Sequence, residues 1–359
     1  MPRNRINPAA SSFHGRLVFS VLIACLTAHH SAAAQDSRAG VDPTEAEVAQ
    51  LVDRLRSPSG DDELSERAIA VGKLLLRKGR YREAAQLFGV LAEKQPDNAI
   101  VSYSFALATF NSGKPTEAEP LAQRAFSLAN GITGPERPQR AADALVLLAV
   151  IHAVRNDDAA ALKALQQAVA LAPNHFDAQL ALGRLLFGMG DDTGAIKAFR
   201  TATSLQPANP QAQFFLATGL ERSGDIENAV ATYRKLIANN PEMFEGHLGL
   251  GALLLKRGGP GSEEGLKELT RALEINPNLY EARVTLGRAL IANGRPLEAI
   301  EHLERAAQLA PDNPEPHYQL SLAYRRLGRK AEAAAQAIIV KRIHESRRSP
   351  KVATQSRLG

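Results

Sequence analysis

The prolines of this 359-residue chain recur on a fixed step, and that step narrows the fold more than any other feature. Pro173, Pro207 and Pro241 lie 34 residues apart, as do Pro277 and Pro311. From Pro241 to Pro277 the spacing is 36, with the surplus in the turn segment RGGPGSEEG at 257 to 265. From Pro96 to Pro173 it is 77, two periods and nine residues more, and the excess falls on GITGPERP at 131 to 138, which reads as a loop. A period of this length marks an array of small units, each of which can hide its apolar face only against its neighbours.

With the proline at position 32, eight units begin at Ser65, Ala99, Ala142, Phe176, Pro210, Phe244, Tyr280 and Pro314. Position 8 is Gly, Ala or Ser throughout and position 20 is Ala or Gly, which lets two helices approach closely. Position 15 is Gly79, Gly113, Asn156, Gly190, Gly224, Gly258, Gly294 and Gly328, residue types that accept a left-handed backbone and end a helix. The proline ends the second helix, because it cannot donate a backbone hydrogen bond and it restrains the residue before it. Apolar residues at position 7 and large ones at position 24 (Phe88, Phe199, Tyr233, Leu269, Leu303) supply a buried seam; Ala122 and Ala337 are its small members.

This pattern resembles the tetratricopeptide repeat family, whose small residues at 8, 20 and 27 and proline at 32 are matched from Ser65 to about Arg347. The chain departs from it in three ways. Position 4, where the family often has Trp, holds Ala68, Ser102, Leu145, Gln179, Gln213, His247, Arg283 and His317; the second unit ends in Asn130; and position 27 holds Leu91, Leu236 and Val340. The resemblance implies an all-α, right-handed α-solenoid of about eight helical hairpins. The units expected are 65–98, 99–138, 142–175, 176–209, 210–243, 244–279, 280–313 and 314–347. One elongated solenoid is reasonable at this length, since stacked hairpins touch only their neighbours.

The N-terminus reads as an export signal over 1–34. Arg3, Arg5 and Arg16 precede the apolar run LVFSVLIACLTA, and Ala32 and Ala34 offer a cleavage site before Gln35. The run is short for a permanent membrane span. Cys25, the one cysteine, follows Leu22-Ile23-Ala24, which resembles a bacterial lipoprotein box; the alternative to simple cleavage is lipidation there, giving a membrane-anchored lipoprotein. The expected setting is the periplasm or cell exterior. Residues 35–64 form a linker in which Thr44 and Glu47 make a capping-box pattern for a short helix, either covering the first repeat or free as a tether.

The net charge of +5 is not spread over the fold. Lys341, Arg342, Arg347, Arg348, Lys351 and Arg357 crowd the C-terminus, and without them and the signal arginines the acidic residues outnumber the basic ones. A repeat body of that balance lacks the basic stripe that phosphate neutralisation needs, which argues against nucleic acid. The tail 348–359 reads as a basic disordered end, with attraction to anionic lipid as a second role.

No catalytic or metal motif emerges, so no cofactor is expected and the chain reads as a non-enzyme. The histidines after residue 34 show no metal-ligand spacing and read as surface or groove residues. The pairs Asp157-Asp158 and Asp191-Asp192 sit where the second helix of a hairpin starts and read as caps.

Binding is what remains. The resemblance puts the concave face on first-helix positions 2, 5, 9, 12 and 13. Read along the second and fourth to eighth units, these assign a partner-binding groove to Tyr103, Phe110, Arg184, Phe187, Phe214, Arg222, Arg288, Tyr318 and Arg325. The family's clamp for a terminal carboxylate, Lys at position 5 with Asn at 9, is absent, and an apolar groove rimmed by arginines fits an extended or helical segment with acidic side chains. The reading is a scaffold or adaptor of the bacterial cell envelope that binds a protein or peptide. The alternative is a carrier holding a lipid, glycan or other small ligand in the groove. The last helix keeps Ile338, Ile339, Val340 and Ile343 close together, and Ile339 with Ile343 is expected to form an exposed C-terminal contact for a second copy or a partner helix.

Overall fold

The structure, a computed structural model, describes residues 42–57 and 62–348. The export segment, Cys25 and the basic tail beyond Arg348 lie outside the described residues. Among those described there are seventeen helices and no strand. The chain divides into two compact bodies that part between Pro207 and Ala208.

The N-terminal body holds α1 (Glu45–Arg56) and four hairpins: α2 (Asp62–Arg77) with α3 (Tyr81–Lys94), α4 (Ala99–Asn111) with α5 (Pro115–Gly131), α6 (Arg137–Val154) with α7 (Asp158–Leu171), and α8 (Phe176–Met189) with α9 (Asp192–Leu205). The C-terminal body holds four more: α10 (Pro210–Ser223) with α11 (Ile226–Asn239), α12 (Phe244–Gly258) with α13 (Glu263–Ile275), α14 (Tyr280–Ala292) with α15 (Pro296–Leu309), and α16 (Pro314–Arg326) with α17 (Lys330–Arg348).

The two helices of a hairpin bury different amounts of themselves, and composition follows. In α6 every residue from Ala144 to Ile151 is buried, because a first helix is packed by its own partner and by neighbouring hairpins. In α13 only Gly265, Leu266, Leu269, Ala272 and Leu273 are buried, the one stripe expected of a helix with an outer face. The small residue at position 8 lets the large residue at 24 seat against helix backbone. A Cβ on Gly183 would lie 2.5 Å from Cε1 of Phe199, and one on Gly287 would lie 2.6 Å from Cγ of Leu303.

Seven first helices close as position 15 predicts. At the third, Asn156 is the single non-glycine with positive φ among the described residues, at 60°; its N–H donates to Ala153 and that of Asp157 to His152, the paired bonds that satisfy a helix's last carbonyls. The sixth hairpin differs. Gly258 is the last residue of α12, and Gly259 takes φ 76° with ψ 176° instead. The two additional residues of RGGPGSEEG widen this turn, so the chain leaves the helix one residue late and Ser262 caps α13. The surplus at 131 to 138 corrects a second expectation: α5 runs to Gly131 and α6 begins at Arg137, so much of the excess lengthens helices and only a short connection is left. Pro138 permits this because the first turn of a helix needs no N–H from it.

Asp157 and Asp191 cap α7 and α9, accepting from the N–H groups of Ala160 and Gly194 at 3.0 and 2.9 Å. Before α1, Thr44 and Glu47 form the reciprocal capping box. The helix then covers the first hairpin: Val48, Leu51, Val52 and Leu55 are buried, Lys94 Nζ donates to the Ser57 carbonyl at 3.2 Å, and Arg80 donates to the Pro43 carbonyl.

Three of the polar residues found at position 4 in place of Trp have a shared role. The Gln179 amide, His247 Nε2 and Arg283 Nε each donate to the carbonyl of the proline six residues earlier, Pro173, Pro241 and Pro277, at 2.8, 3.0 and 2.8 Å. Each thereby ties a first helix to the turn that delivers it, through a turn carbonyl just past the end of the preceding helix.

Candidate functional site

In the N-terminal body, α2, α4, α5 and α6 enclose a cleft of about 410 Å³. Ile100 and Tyr103, one helical turn apart on α4, form its apolar wall. Lys73 and Arg77, one turn apart on α2, and Arg140 at the start of α6 bring three cations to it, and Asp143 on α6 brings a carboxylate. In repeat register these are positions 2 and 5 of the second hairpin, 9 and 13 of the first and 2 of the third, with Arg140 just ahead of that third hairpin.

The charges differ in how they are held. Asp143 accepts from His175 Nε2 at 2.9 Å; the other ring nitrogen, Nδ1, accepts from the Ala178 N–H and caps α8, so the proton sits on Nε2. Arg140 pairs with Glu136 one turn earlier. Lys73 and Arg77 are exposed, and neither has a hydrogen-bond or ion-pair partner among the described residues. Burial pushes the Tyr103 phenol well above its ordinary pKa, with Asp143 and Asp177 adding to the shift, so it stays a neutral hydrogen-bonding group.

Of the nine side chains assigned to the groove from the sequence, Tyr103 alone lines this cleft. Phe110 is 6% exposed and belongs to the core of the N-terminal body. Arg184 is 2% exposed and so forms no rim; a long aliphatic stem at a position near the contact between hairpins is drawn into it. Phe187 is half-buried, its ring 6.4 Å from that of Phe199. In the C-terminal body Phe214 is half-buried between the rings of Phe215 and Tyr233, at 5.6 and 6.4 Å. Arg222, Arg288, Tyr318 and Arg325 are exposed. Near Phe214, Thr218 shares a hydrogen bond with the Tyr233 hydroxyl at 3.1 Å, and Glu221 is raised by burial above the usual carboxylate range, with Lys256 and the Tyr233 hydroxyl opposing the shift.

Two further expectations change. His175 and His247 are interior residues, His247 bridging Glu268 at 2.6 Å and the Pro241 carbonyl. At the C-terminus Ile343 is buried and Ile339 and Val340 are half-buried; only Ile338 stands out, so the proposed pair faces its own hairpin. Lys73, Arg77, Arg140 and Asp143 were not picked out from the sequence. For three of them the signal was present, since the concave-face positions read in the other hairpins give Lys73, Arg77 and Asp143 when applied to the first and third.

An all-α array of hairpins that presents a cleft on its first helices is a repeat-type binding fold. Models of the tetratricopeptide repeat match residues 70–135, 106–176, 155–212, 180–241 and 216–280, and a further TPR repeat model matches 287–328. The chain belongs to the tetratricopeptide repeat family. The C-terminal part of a TPR repeat-containing protein from Cytophaga hutchinsonii is 16% identical and shares the fold at a TM-score of 0.54, over 70% of this chain and 99% of that one. The MamA protein is 21% identical with a TM-score of 0.46, over 50% of this chain and 96% of its own. YrrB, described as a TPR protein with an unusual peptide-binding site, is 19% identical with a TM-score of 0.46, over 55% and 96%. No curated protein matches the sequence.

Proposed function

We propose that this protein acts by binding, as a scaffold or adaptor of the bacterial cell envelope that holds a polypeptide segment of a partner in the cleft between α2, α4 and α6. The observation that carries this reading is the cleft itself: an apolar wall of Ile100 and Tyr103 with charged groups on either side, all on first-helix residues, closed at its base by Ala125 and Ala129 of α5. Aromatic and arginine side chains supply much of the binding energy at protein interfaces, and a cleft of this size accommodates a few side chains of an extended chain. The envelope setting rests on the sequence of residues 1–34, read as a signal cleaved before Gln35. Lipidation at Cys25 is the alternative route to the same compartment.

The test is a photoreactive amino acid at Ile100 of the full chain in intact cells, with mass spectrometry of the adduct. A discrete polypeptide adduct that is lost when Tyr103 is also replaced by Ala is the expected result. A lipid or glycan adduct at the same position would replace the scaffold with a carrier.

A further inference from the structure

The cleft's charge identifies the chemistry of its occupant. Lys73 and Arg77 are like charges four residues apart on one helix, an arrangement that weakens a helix. Both are exposed, both border the cleft, and neither is neutralised by any described residue. No other hairpin repeats this: positions 9 and 13 pair Leu107 with Asn111, Val150 with Val154, Arg184 with Gly188, Thr218 with Arg222, Ala252 with Lys256, Arg288 with Ala292 and Leu322 with Arg326. The opposite wall is arranged differently. Asp143 is hydrogen-bonded by His175, and Arg140 is paired with Glu136, so the two cations of the cleft that lack a partner are both on α2.

We infer that the cleft selects an acidic polypeptide segment, with one or two Asp or Glu side chains set against Lys73 and Arg77 and an adjacent apolar side chain seated on Ile100 and Tyr103. The pairing restores the balance that α2 lacks by itself, through charge-assisted hydrogen bonds from the two side chains to the carboxylates. Asp143, on the far wall, can accept from a backbone N–H of the bound segment, and the neutral Tyr103 hydroxyl can donate to one of its carbonyls. This inference rests on the reading of the cleft as a docking site, and it adds the sign of the charge that the site accepts.

The test is selection of a random dodecapeptide phage library on the full chain, with every peptide presented through its C-terminus so that no terminal carboxylate is available. Peptides with Asp or Glu beside a large apolar residue should be enriched. A selected peptide, measured by fluorescence anisotropy, should bind the Lys73→Gln/Arg77→Gln variant about tenfold more weakly, and wild-type binding should weaken as salt rises. Both substituted residues are exposed, so unchanged helical circular dichroism will show that the variant is folded. Neutral or basic peptides that enrich and are lost with Tyr103→Ala would overturn the acidic preference while leaving the docking site intact. No enrichment at all would remove the docking site as well. Phosphatidylglycerol vesicles that sediment wild type but not the double variant, with no acidic peptide enriched, would assign the cations to a membrane surface instead.

Discussion

At the scale of single residues, two kinds of glycine work by different physics. Gly224 and Gly294 have φ of 85° and 78° with nothing near the place a Cβ would occupy, so the constraint there is conformational. Gly224→Val or Gly294→Val should cost roughly 1–2 kcal/mol, read as a lower midpoint in urea unfolding, because a branched side chain opposes the left-handed region. Gly183 is limited by space, and Gly183→Ala should destabilise by about 1–3 kcal/mol as the Phe199 ring is displaced. Glu221 gives a pH signature. Since burial raises its folded pKa, its contribution to stability is full at low pH and declines as pH rises through that value. Glu221→Gln should lack this decline, so the difference in urea midpoint between variant and wild type should move in the variant's favour from pH 4 to pH 7.

At the scale of helices, the two ends of the described chain are finished differently. α1 covers the first hairpin with four buried apolar side chains, and Leu55 is fully buried. Leu55→Ala should cost about 2–5 kcal/mol locally and should raise amide exchange in α1 and α3 before it does so elsewhere. At the other end, the structure reverses the outcome expected from the apolar run in α17. With Ile343 buried and Ile339 half-buried, changing both to Glu should destabilise the last hairpin, whereas Ile338→Glu, at 54% exposure, should leave the unfolding midpoint nearly unchanged. Equal midpoints for the two variants would contradict the packing described for α17.

For the molecule as a whole, the division between Pro207 and Ala208 falls inside an unbroken run of 34-residue spacings, and nothing in the local pattern sets that turn apart from the others. Where the protein works is a second question at this scale. Intact-mass measurement of material purified from the envelope fraction should give a chain beginning at Gln35; an acylated chain beginning at Cys25 would select the lipoprotein, and an uncleaved chain in the cytosol would refute export.

The hairpins were legible because their determinants are local and repeated. Pro96 and its successors, the residues of position 15 and the small groups at position 8 act through backbone geometry and the nearest helix, and both are encoded within a few dozen residues. The same holds for the caps at Thr44, Asp157 and Asp191. Local pattern failed where a choice depended on what lies across from a side chain. Arg184 and Lys73 share position 9, yet one is buried and the other exposed; Ile338 and Ile343 share a run, yet one faces out and the other in. The nine surplus residues near Gly131 could have formed a loop, and packing made most of them helix. A repeat specifies which rows of residues face which way, because the period is a property of the chain. The tertiary structure alone decides which members of a row remain open to a partner, because exposure is a property of the neighbours.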